Sequence, residues 1–130
     1  MGTLANPSVG NANVDLSGSV YRFVKRLSTG LIDLTTAAAD LPVGVLFNKP
    51  KAGEAVNCFT VDGGIVKMIW DGVAGTPLVP GVALKLSAAS PGAVTPTVTA
   101  TDKVVAVLED ANGATAVGHV ITAQLKGGTL

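Results

Sequence analysis

This 130-residue chain balances nine basic against nine acidic side chains, and charged residues make up only 14% of it. That argues against a nucleic-acid binder, which needs a basic stripe to displace counterions from phosphates. It also leaves little self-repulsion to oppose assembly. Sixteen glycines, seven prolines and few aromatics (three Phe, one Tyr, one Trp) within a 48% apolar chain predict one domain of short strands and many turns.

Residues 1–17 read as an extended N-terminal arm, because Asn, Gly, Pro and Ser interrupt every apolar residue and no continuous face forms. Such an arm either stays disordered or adds a strand to a neighbour's exposed edge. Leu4, Asn6, Pro7, Val9, Val14 and Leu16 are its candidate partner contacts, and deleting it is expected to leave the body folded. The first residues lack a basic start and an apolar stretch, so no signal peptide is expected. No apolar run approaches the roughly 18 residues of a spanning helix. A soluble chain made in a cytoplasm is the expectation.

Residues 18–130 form the expected β-domain. Strands are predicted at 19–27, 31–34, 43–47 and 55–61, with one turn of helical potential at 35–40. Asp62-Gly63-Gly64 predicts a hairpin into 65–70, where both alternating faces are mostly apolar and burial on two sides is expected. Two prolines make 73–81 an edge segment or loop. Strands follow at 82–86, 94–99, 104–108 and 117–125, with Asn112-Gly113 as a turn.

The chain also repeats itself. Gly30 and Gly92 are 62 residues apart, as are Asp40 and Asp102, and the run Val43-Gly44-Val45-Leu46 returns as Val105-Ala106-Val107-Leu108. The copies read as about 18–64 and 81–128. Two copies are too few for a solenoid. They suggest an all-β fold, a small β-barrel or barrel-like sandwich of two similar half-sheets covering each other's edges.

Side chains suited to chemistry are sparse. His119, the only histidine, falls in a predicted strand and reads as packed or hydrogen-bonded rather than as a general base. No cluster has metal-ligand spacing, and Asp110 to Gly113 lacks the downstream Glu of a calcium loop. No phosphate-binding glycine motif or nucleophile elbow occurs. Neither catalytic residues nor a cofactor or metal site is expected. Cys58, the single cysteine, reads as a small buried hydrophobe. Arg22, Lys25 and Arg26 form the one dense basic patch. Solvated surface is its first reading, and an ionic contact across an interface the second. Trp70 reads first as core and second as an interface anchor.

The strand Val43-Gly44-Val45-Leu46, the segment Lys51-Ala52-Gly53-Glu54-Ala55-Val56, the Gly-Gly hairpin, Val105 to Asp110 and the closing Gly118 to Leu125 together form a pattern. It resembles that of the capsid cement, or head decoration, proteins of tailed bacteriophages, over most of the chain. The resemblance implies a barrel-like structural protein, often a homotrimer, on the capsid exterior of a virion, made in the host cytoplasm. Its partners would be the major capsid protein and copies of itself, with no nucleic acid, no membrane and no enzymatic chemistry. A phage tail or fibre-associated β module is the alternative, and a small carbohydrate- or peptide-binding module a third.

Overall fold

The computed structural model describes residues 8–59, 64–73 and 78–126. Among these the fold is all β, with eleven strands and no helix. The first six are β1 (Gly10–Asn11), β2 (Phe23–Arg26), β3 (Ile32–Leu34), β4 (Pro42–Leu46), β5 (Ala55–Val56) and β6 (Cys58–Phe59). The others are β7 (Ile65–Ile69), β8 (Ala83–Leu86), β9 (Val94–Pro96), β10 (Ala106–Asp110) and β11 (Val120–Leu125). One sheet has the order β7-β11-β10-β8-β9, a second β3-β2-β4-β6, and β1 pairs with β5. The sheets pack as a sandwich-like fold and not as a closed barrel. Isolated parallel bridges, Ala12 to Ile32 and Trp70 to Val94, draw the outer strands of each half together.

The repeat seen in the sequence is a repeat of strand pairing. Val45 lies opposite Phe23 as Val107 lies opposite Ala83, and Val24 opposite Leu34 as Leu84 opposite Pro96. Lys25 pairs with Asp40 at 3.0 Å, and Lys85 with Asp102 at 3.3 Å. Asp40 Oδ2 accepts the N–H groups of Thr36 and Ala37, and Asp102 Oδ2 those of Val98 and Thr99. This carboxylate cap makes residues 35–40 a turn instead of the expected helical turn, since Asp competes for backbone donors outside helices.

Backbone hydrogen bonds carry the repeat further toward the N-terminus than the sequence indicates. The Ala12 N–H donates to Glu54 O as the Trp70 N–H donates to His119 O. Asn13 donates to Ile32 O as Asp71 does to Val94 O, and Gly53 to Ala12 O as Gly118 does to Trp70 O. Strand β1 on β5 is therefore the counterpart of β7 on β11. The spacing slides from 58 residues (Ala12 to Trp70) through 62 (Ile32 to Val94) to 65 (Gly53 to Gly118) as loops lengthen in the second copy.

The described part of the segment read as an arm, residues 8–17, thus belongs to the first copy and docks on its own chain. Val24, Ile32, Leu46, Val56 and Cys58 form a core with Ala12 and Leu16, which is 1% exposed. A fully buried Leu is worth about 2–3 kcal/mol, so the expectation that the body folds without these residues is corrected. Cys58 is buried as read, and burial pushes its thiol up to about 12. The larger core joins the second copy's strands to Phe23 and Val45 of the first.

Other expectations shift for stated reasons. Residues 60–63, with most of the anticipated Asp62-Gly63-Gly64 turn, lie outside the described residues. Strand β6 pairs with β4 and β7 with β11, so the strands on either side belong to different sheets and do not form a hairpin. In β7, Val66 and Met68 are buried while Ile65 and Lys67 face outward, so two-sided burial is confined to Ile69, 7% exposed.

The halves interlock at Gly92. Its carbonyl accepts the Phe23 N–H at 2.7 Å, and its own N–H donates to Thr35 O at 2.8 Å. Its φ is +73°, and a Cβ there would stand 2.7 Å from Arg22 Cβ and 2.9 Å from Phe23 O. Only glycine permits both the conformation and the approach.

Candidate interaction surface

The sequence-derived contact residues do not converge on one surface. Leu4, Asn6 and Pro7 lie outside the described residues. Val9 is half-buried against the smaller core, Leu16 is inside it, and Val14 alone of the arm candidates is a markedly exposed apolar side chain, at 43%. The Arg22 Nη1 donates to Ser90 Oγ at 3.1 Å and Pro91 O at 2.7 Å, so the guanidinium clamps the two halves together. Arg26 donates to Gly30 O and to Val9 O, fastening the N-terminal strand. Lys25 is paired with Asp40. Within the chain the patch thus fastens the fold, with Arg22 and Lys25 half-buried and Arg26 on the exposed surface. Trp70 is a core residue, and its buried indole N–H has no acceptor among the described residues.

A different surface emerges on the outer side of β7 and β11. Lys67 and Thr122 are direct cross-strand partners there, as are Ile69 and Val120. An open groove of about 620 Å³ runs over Lys67, Thr122 and Val120, also lined by Asn112, Ala114, Gly118 and His119. Hydrogen bonds within the chain fix its walls. Asn112 Nδ2 donates to Thr122 Oγ1 at 2.8 Å, and the Thr115 N–H donates to His119 Nδ1 at 3.0 Å. With Nδ1 engaged as acceptor, the neutral imidazole carries its proton on Nε2. His119 is hydrogen-bonded as read but exposed, because β11 begins only at Val120 and Gly118 turns the chain with φ +87°.

Beside the groove, the Lys67 ammonium lies 5.9 Å from the ring centroid of Tyr21. Tyr21 holds a left-handed backbone, φ 71°, where its counterpart in the second copy is Gly81, φ 93°. Both N–H groups make the same bond, to Leu46 O and Leu108 O. Keeping a tyrosine there costs about 1–2 kcal/mol of backbone strain and sets its ring against Lys67.

The groove offers donors: an ammonium, an imidazole N–H and the Thr122 hydroxyl, whose oxygen already accepts from Asn112. None of its lining residues is acidic. It is suited to binding an acceptor group. Among the described residues no group of three or more His, Cys, Asp or Glu is placed to hold a metal, and no helix is long and apolar enough to cross a membrane. Sequence reasoning missed Lys67, Asn112 and Thr122. The available signal was the outward alternation of Lys67 and Thr122 on two strands.

Compared with known proteins, the chain matches no family model and no curated sequence.

Proposed function

We propose that this chain is a structural virion protein that binds the outside of a phage capsid and bridges major capsid protein subunits, without enzymatic activity. The observation that carries this reading is where the resemblance falls. The Val-Gly-Val-Leu and Val-Ala-Val-Leu strands are counterparts in β4 and β10. The Ala-Gly-Glu turn and the Gly-His turn are counterparts at Gly53 and Gly118. The likeness thus follows the load-carrying frame of both halves. The halves share a core and interlock at Gly92, as a protein that reinforces a shell would need. Repetition over a shell would let modest individual contacts hold firmly.

The test adds purified protein to capsids stripped of their decoration layer. Co-sedimentation at saturable occupancy and a raised capsid melting temperature are expected. Absence of binding together with unchanged capsid stability would sink the proposal. Sedimentation of the free protein checks the proposed homotrimer, which a monomer at all concentrations would contradict.

A further inference from the structure

We infer that the groove beside Lys67 and His119 receives a carboxylate side chain of a protein partner, a glutamate or aspartate on the surface this chain binds. The inference rests on the reading of the chain as a capsid-binding protein for the partner's setting, but on the groove alone for its chemistry. Lys67 makes no ion pair among the described residues. Its ammonium, the His119 Nε2–H and the Thr122 hydroxyl all donate, and the neighbouring carboxylate of Asp110, opposite Thr122 on β10, accepts the Asn112 N–H instead of any of them. Exposed apolar side chains flank this polar centre: Ile65 at 54% and Val117 at 62%. An ionic contact with an apolar surround is the arrangement by which interfaces fix register and choose partners.

The internal repeat supplies a second argument. In the first copy the positions of Lys67, His119 and Thr122 are filled by Val9, Glu54 and Asn57. The backbone bonds of the two turns are the same, so the fold does not demand this set of donors. The second copy alone carries it. His119 has a structural task, since its Nδ1 accepts the Thr115 N–H as Glu54 Oε1 accepts that of Lys51, but Lys67, set on a strained tyrosine, makes no ion pair among the described residues.

The test uses the full chain and has two arms. In the first, the ¹⁵N-labelled protein is titrated with the capped tripeptide acetyl-Ala-Glu-Ala-amide and with its Gln analogue. Saturable amide shifts at Lys67, His119 and Thr122 are expected for the Glu peptide only, and they disappear in Lys67→Met. Equal shifts with the Gln peptide, shifts scattered over the surface, or displacement by inorganic phosphate at lower concentration would overturn the inference. In the second arm, Lys67→Glu and His119→Asn are compared with Lys49→Glu for capsid occupancy. Asn retains an acceptor for the Thr115 N–H and removes the Nε2 donor. Both groove variants should bind about tenfold more weakly, while the control, an exposed lysine of the first copy, binds as wild type. Wild-type binding with no loss in Lys67→Glu would refute the groove and leave the capsid reading standing. If the wild type binds no capsid, the capsid reading fails and the peptide titration still decides the groove.

Discussion

Gly30 and Gly92 occupy matching turns with left-handed backbones, φ +89° and +73°, yet only Gly92 is enclosed. Gly30→Ala meets open space and should cost only the conformational penalty, about 1 kcal/mol. Gly92→Ala adds a steric clash with Arg22 and Phe23, for about 3 kcal/mol in all. Urea denaturation compares the two, and equal losses would mean that Gly92 is not the interlock described. Asp102 makes a separate prediction. The N–H groups of Thr99 and Val98, then Lys85, hold its carboxyl at about 2, against an ordinary 3.8. A depressed folded-state value contributes stability above the unfolded pKa and loses it as pH falls. Urea midpoints should therefore drop between about pH 4 and pH 2, and Asp102→Asn should flatten that slope. An unchanged slope in the variant would refute the capping role.

At the scale of the element, the N-terminal segment changes meaning. Leu16→Ala should destabilise by about 2–5 kcal/mol, measured by chemical denaturation, and removal of residues 1–16 should unfold the chain. A truncated chain with native dispersion in its NMR spectrum would contradict the packing of Ala12 and Leu16. The strands were legible wherever alternation was clean, as in β11, whose Ile121, Ala123 and Leu125 are buried while the residues between them are half-covered. Strand β1 was not legible, because its two residues, Gly10 and Asn11, carry no period. Its pairing is visible only through backbone bonds, and no likeness links Val9-Gly10-Asn11-Ala12 to Lys67-Met68-Ile69-Trp70. The groove was hidden for a related reason. Asn112, His119 and Lys67 meet only because the connection after β10 folds back over β7 and β11.

For the whole molecule, Phe23 and Val45 sit in the core of the second half, so the two copies should unfold together. Scanning calorimetry should give one transition whose calorimetric and van't Hoff enthalpies agree; two resolved peaks would mean that the halves are separate units. The matched registers have another side. Since β2 and β8 meet their neighbours in the same manner, each half presents edges that the other's strands fit, in the same molecule or in the next one made nearby. Correct folding thus depends on what differs between the copies. The loop at 87–92 is two residues longer than its counterpart and ends in the glycine that enters the first half, where Arg22 closes on it and the corresponding Val82 has no such reach. Insertion and clamp together distinguish native pairing from its near-copy, so shortening this loop would first appear as exchanged dimers and aggregates during refolding.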